Sequence, residues 1–190
     1  MKPKTTRDHI VEAADRLFYE KGYDHTSFAD IAREVNISRG NFYHHFKTKD
    51  EILGVVIKRR LESTRTMLSE WEHEGETPLE RIRSFINILV MNRVKIKSFG
   101  CPVGTLCTEL SKLDHGSQEE ANQLFTLFRV WLRRQFTALG CVDNADQLAM
   151  HLLARSQGVA TLAQAFHDDA FIDTEVKAMH AWLESSLAHG

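Results

Sequence analysis

Proline is scarce in this sequence: Pro3, Pro78 and Pro102 are the whole complement. The residue that most effectively interrupts helices and sheet ladders is therefore missing from long stretches. Cysteine is as sparse. Cys101, Cys107 and Cys141 are odd in number and sit at no zinc-like spacing, which argues against a disulfide framework and for a reducing compartment, the cytoplasm. No uninterrupted apolar run approaches the ~20 residues a membrane span needs, and the opening residues are polar with no apolar signal core, so no membrane partner is expected. No run alternates apolar and polar residues for long, which speaks against strands. Missing too are a glycine-rich phosphate loop, a nucleophile elbow and a His-Glu metal motif. An enzyme, such as a helical hydrolase or transferase working through a Cys and a His, lacks its usual marks. The ten histidines show no clustered ligand spacing, and no metal or cofactor is implied.

What is present suits an ordinary globular chain, at 43% hydrophobic and 26% charged residues, with enough apolar material for a real core. The net charge of −2 hides an asymmetry. The first 60 residues hold 12 basic and 9 acidic side chains, whereas the remaining 130 hold 12 and 17. A basic head on an acidic body puts any polyanion contact near the N-terminus.

The apolar spacing is helical almost throughout. Ile10, Ala13, Ala14, Leu17 and Phe18 follow the i, i+3, i+4, i+7, i+8 template, and Gly22 is placed to end that helix. Cap pairs recur at Ser27/Asp30, Thr48/Glu51, Thr77/Glu80 and Ser117/Glu120, with Pro78 at a first helical position. The pattern predicts nine helices, over about 6–21, 27–35, 38–45, 48–73, 77–98, 102–113, 117–139, 143–166 and 172–188. A division near residue 50 separates a segment 1–50 from a body 51–190.

The second and third helices are short and joined by Val35-Asn36-Ile37, which is the helix-turn-helix arrangement. At 100° per residue, Phe42 and Phe46 mark the buried side of the third helix. Gly40, Asn41 and His44 then face outward, flanked by Arg39 and Tyr43. Arginine and asparagine are the side chains that pair bidentately with guanine and adenine, and Gly40 permits close backbone approach. Tyr43, the N-terminal amides of the neighbouring helices and Lys49 are placed for phosphates. The bland alternative is a helical bundle whose polar face is merely solvated.

Residues 7–53 resemble the N-terminal domain of the tetracycline-repressor (TetR) family. The resemblance rests on Ile10, Ala13-Ala14, Leu17-Phe18, Gly22-Tyr23, Thr26-Ser27, Ile31-Ala32, Val35, Ile37-Ser38, Gly40, Phe42-Tyr43, His45-Phe46, Lys49-Asp50 and Leu53. It implies an all-α protein: a three-helix helix-turn-helix DNA-binding domain followed by a six-helix ligand-binding and dimerisation domain. It further implies a cytoplasmic bacterial regulator, usually a repressor, that binds double-stranded operator DNA as a homodimer and is released by a small-molecule effector. Carried over by position, Arg39, Gly40, Asn41 and His44 would meet bases, while Ser27, Tyr43 and Lys49 would hold phosphates. Ala29 departs from members with a long base-reading side chain there, so little base reading is expected from the second helix. Lys2, Lys4 and Arg7 form either a solvated tail or a flanking contact.

In the body, Ala149, Leu152, Ser156, Ala160 and Ala163 form one stripe, and Met179 and Leu183 belong to another. They read either as core within one chain or, following the resemblance, as a four-helix bundle between two subunits. Met67, Trp71, Phe85, Leu89, Asn92, Phe125, Phe128, Trp131 and Gln157 are candidate pocket residues, with plain core as the alternative. Gly100-Cys101-Pro102 sets Cys101 at a helix N-cap, where the dipole favours a reactive thiolate. A cysteine-based redox or electrophile sensor using Cys101 and Cys107 is therefore a second reading, although about 240° of helix separates the two. Small buried hydrophobes are the alternative for all three cysteines. An activator without a small-molecule ligand is a third.

Overall fold

Each early helix begins where the sequence offers a side-chain cap. Thr5 and Asp8 form a reciprocal capping box on α1 (Thr6–Lys21), and Ser27 and Asp30 do the same for α2 (Phe28–Glu34). Ser38 caps α3 (Arg39–His45), and Thr48 Oγ1 accepts from Glu51 N at the start of α4 (Lys49–Glu74). Thr77 and Glu80 box α5 (Pro78–Met91), with Pro78 in its first turn. There follow α6 (Arg93–Phe99), α7 (Pro102–Lys112), α8 (Gln118–Ala138), α9 (Ala145–Phe166) and α10 (Asp169–Ala188). The computed structural model describes residues 3–188, and their regular structure is entirely helical. No helix among the described residues is long and apolar enough to cross a membrane.

One expected helix is bent. Asn92, at φ −106° and ψ 13°, separates α5 from α6. Helical bonds still run through the break, Asn92 N to Ile88 O at 3.1 Å and Ile96 N to Asn92 O at 2.9 Å. The Asn92 amide also donates to Ile88 O, the back-bonding that bends helices. Counted as one bent helix, α5 and α6 keep the set at nine.

The chain forms two compact units. One comprises the chain through Ser63 together with Thr105–Gln123, and the other comprises Thr64–Gly104 with the chain from Leu124 onward. The boundary therefore lies beyond residue 50. The first half of α4 is apolar on one side, with Ile52, Leu53, Val56, Ile57 and Leu61 all buried. Leu106, Cys107 and Leu110 of α7 are buried as well.

In the second unit, α10 lies against α5, α6 and α9, and α9 against α5 and α6. This packing corrects the reading of the α9 and α10 stripes. Ala149, Leu152, Ser156, Ala160, Ala163, Met179 and Leu183 are none of them more than 4% exposed, so they are core of their own chain and offer nothing to a second subunit. The outward side of α9 is a different row: Met150, His151, Ala154, Gly158, Leu162 and Phe166, all exposed.

Candidate nucleic-acid interface

The turn between α2 and α3 takes its shape from Asn36, which adopts a left-handed φ of 54°. Asn36 N bonds Arg33 O at 3.2 Å and Ile37 N bonds Ala32 O at 3.1 Å. Those two bonds are a Schellman closure, which ends α2 and redirects the chain into Ser38. The Ser38 hydroxyl then accepts from Asn41 N at 3.3 Å. Asparagine suits this site because its short polar side chain tolerates the left-handed region.

Two phenylalanines anchor α3 from within. Phe42 is 2% and Phe46 1% exposed, and Phe42 packs against Phe28 at 5.0 Å between ring centroids. The Arg7 guanidinium covers the Phe46 ring at 4.6 Å, a cation–π contact that ties the start of α1 to the end of α3. With that side fixed, Arg39, Gly40, Asn41, Tyr43 and His44 are all exposed. A Cβ built on Gly40 meets nothing within 4 Å, so the fold itself has no need of glycine there. Beside this row runs a groove lined by Ser27, Phe28, Ala29, Arg39 and Tyr43. Tyr43 stands edge-on to Phe28, 5.7 Å away, and remains exposed.

Ser27 and Lys49 are less free than their positions suggest. The Ser27 hydroxyl donates to Asp30 Oδ2 at 2.5 Å, and that bond holds the Asp30 carboxyl below its ordinary range. Lys49 Nζ donates to the Tyr23 carbonyl at 2.8 Å and lies 4.1 Å from the centre of the Tyr23 ring.

Tyr23 is the hub of a network that sequence reasoning missed. Its part-buried hydroxyl donates to the Asp50 carboxylate, and His115 Nε2 lies 3.2 Å from the same hydroxyl. Burial, then the Asp50 bond, pushes the Tyr23 phenol far up, and the same bond holds the Asp50 carboxyl low. The Glu109 carboxylate accepts from Tyr23 N and Asp24 N, each at 2.9 Å, immediately after Gly22 at φ 92°. A Cβ at Gly22 would come within 2.9 Å of Glu109 Oε1. The only local signal was the Gly22-Tyr23 pair, since its partners lie 86 and 92 residues away.

In the second unit, Met67, Trp71, Phe85, Leu89, Phe125, Phe128 and Trp131 share one apolar cluster. Asn92 does not join them. It is exposed and bonded to Ile88 O, which corrects its place among pocket residues. Gln157 turns its Oε1 towards Gly104, in the first turn of α7, closely enough that a Cβ at Gly104 would collide with it. The three cysteines are thiols. Cys101 caps α7 as expected, its Sγ accepting from Gly104 N at 3.4 Å, whereas Cys107 is buried.

Residues 10–56 match the family model described as bacterial regulatory proteins, tetR family. Over 87% of its length the chain is 30% identical to an uncharacterized HTH-type transcriptional regulator in the lacX 3' region of Lactococcus lactis subsp. lactis, and the match spans 86% of that protein. It is 27% identical, over 67% of its length, to the HTH-type transcriptional repressor DhaR of Mycobacterium sp. (strain GP1), of which it spans 62%. Among solved structures, a TetR transcriptional regulator from Legionella pneumophila superposes with a TM-score of 0.84 over 98% of this chain and 99% of that one, at 23% identity. That likeness is one of fold.

Proposed function

Because this chain belongs to the TetR family of bacterial transcriptional regulators, and is a DNA-binding regulator rather than an enzyme, we propose that it is a repressor. It binds a palindromic operator as a homodimer and lets go when a small molecule enters the second unit. The observation that carries the reading is the division of α3: Phe42 and Phe46 are wholly inside, and every side chain on the opposite side is open to a groove. Arg39, Gly40, Asn41 and His44 read base edges, Arg39 best on guanine and Asn41 on adenine. Ser27, Tyr43 and Lys49 hold phosphates, for which Ser27 and Lys49 each exchange the internal bond just described.

The partner in the homodimer is a second copy docked on the outer row of α9. A row of small and apolar residues on a surface helix is the composition that close helix pairing across a two-fold axis uses. Two recognition helices related in that way address half-sites about one DNA turn, ~34 Å, apart. The effector acts by changing that separation, so that only one half-site fits at a time.

The test is fluorescence anisotropy on duplexes from the protein's own promoter region, at roughly 50 and 200 mM salt. Tight binding that weakens steeply with salt, and exceeds binding to a scrambled duplex, is expected. Equal affinity for both duplexes would overturn the reading.

A further inference from the structure

One buried polar group lacks a counterpart. Trp131, on α8, is 4% exposed, and among the described residues its indole Nε1–H finds no acceptor. Native proteins pair nearly all such groups with protein, water or a ligand.

The surroundings of Trp131 define what would satisfy it. Trp71 lies against it with ring centroids 5.7 Å apart at 58°, and Phe85 and Phe128 form a second tilted pair at 5.6 Å in the same cluster. Tilted pairs meet edge to face, and a flat third ring entering between them exchanges those contacts for stacked ones of similar worth. Beside the two tryptophans on their helices, the charged side chains Arg134 and Glu72 are already paired with each other at 3.3 Å. Glu72 also accepts from Gln135 Nε2 at 3.5 Å, so a charged guest would find its counter-ion there only by breaking that pair. An anionic guest would compete with Glu72 for Arg134, and a cationic one with Arg134 for Glu72, on top of the penalty for burying a charge. A neutral guest meets neither cost. Met67 and Phe125, half-buried members of the same cluster, sit one turn ahead of Trp71 and Phe128 along their helices. The unbranched methionine can swing to admit a ligand at little cost.

We propose that the second unit holds a site for a neutral, flat aromatic molecule with an in-plane hydrogen-bond acceptor, stacked within the Trp71–Trp131 and Phe85–Phe128 group and accepting from Trp131 Nε1–H. The proposal rests on the effector-released repressor reading and supplies the chemical class of its effector.

Quinoline and naphthalene test it, because the two are near-isosteric and differ by one ring-nitrogen acceptor. The full chain is labelled with ¹⁵N and titrated with each compound. Its three tryptophans give three indole N–H signals, and Trp131→Phe identifies the relevant one. Quinoline is expected to move the Trp131 signal downfield and to bind about ten-fold more tightly than naphthalene, a preference lost in Trp131→Phe. Equal affinities, a preference that survives in Trp131→Phe, or a Trp131 signal unmoved by quinoline would overturn the proposal. Should Trp131→Phe fail to fold, Trp71→Phe and Trp182→Phe assign the other two signals, and the remaining signal and the two affinities of the unaltered chain decide. Operator affinity is measured separately with saturating quinoline. Loosened DNA binding supports both readings. A shifted indole signal with unchanged operator affinity upholds the site and overturns release by ligand.

Discussion

In the proposed reading, Gly40 serves the complex rather than the fold. Open space surrounds the place where its Cβ would be, so alanine there is sterically free in the isolated protein. Gly40→Ala is expected to leave thermal stability unchanged or raise it by up to ~1 kcal/mol, because alanine is the better helix former. The same substitution should abolish tight operator binding, because in the proposed complex a methyl group would stand between the helix backbone and the groove. Calorimetric melting and anisotropy, run side by side, separate the two effects. Arg39→Ala, at an exposed position on the same helix, is expected to weaken specific binding by ~1–3 kcal/mol and relax the preference at one base pair, as a panel of substituted duplexes would reveal. Both residues were visible in the sequence because α3 is so short that two phenylalanines fix its orientation. Trp131 was visible only as an aromatic at helical spacing; that its N–H finds no acceptor among the described residues depends on every neighbour packed around it.

At the scale of elements, the α2–α3 turn depends on one left-handed residue. Asn36→Val puts a β-branched side chain at φ 54° and is expected to cost about 1–2 kcal/mol of stability, with operator binding falling further as α3 loses its aim. Asn36→Gly, which accepts that φ, should come close to the parent in both denaturant midpoint and DNA affinity. On α10, burial and then the nearby Arg83 hold the His180 imidazole below its ordinary value, with Nε2 2.9 Å from Asn87 Oδ1. Unfolding frees that ring to take a proton more readily. Its contribution to stability is therefore complete above about pH 6.5, the unfolded value, and is lost as pH falls through the lower folded value. A urea midpoint that drops between pH 7 and 5.5, and drops less in His180→Gln, is the expected result. The helix bounds themselves were legible, α1 to the residue, because caps and stop signals are local. The bend at Asn92 was not, since it arises from one amide choosing a carbonyl within its own helix.

For the whole molecule, α9 carries two apolar rows, and periodicity alone could not say which one faces its own chain. The inner row turned out to be Ala149, Leu152, Ser156, Ala160 and Ala163; the outer one runs through Ala154, Gly158 and Leu162. Both are small and apolar, so only the packing of α5, α6 and α10 tells them apart. Ala154→Arg on the outer row is expected to yield a monomer by sedimentation velocity with its helical circular dichroism intact, and to lose operator binding. A dimer that persists in that variant would relocate the subunit contact. The head's contacts with residues far along the chain lay beyond sequence reading for a different reason, because nothing local marks Glu109 or His115 as partners of Tyr23. That arrangement has a consequence for how the protein is made. Translation delivers the chain from its N-terminus, and a nascent polypeptide that has passed Ser63 still lacks Thr105–Gln123. The grip on DNA thus cannot mature on the ribosome until Gln123 has emerged, and a fragment cut at Ser63 would carry the recognition helix without the Glu109 carboxylate that pins the turn behind it.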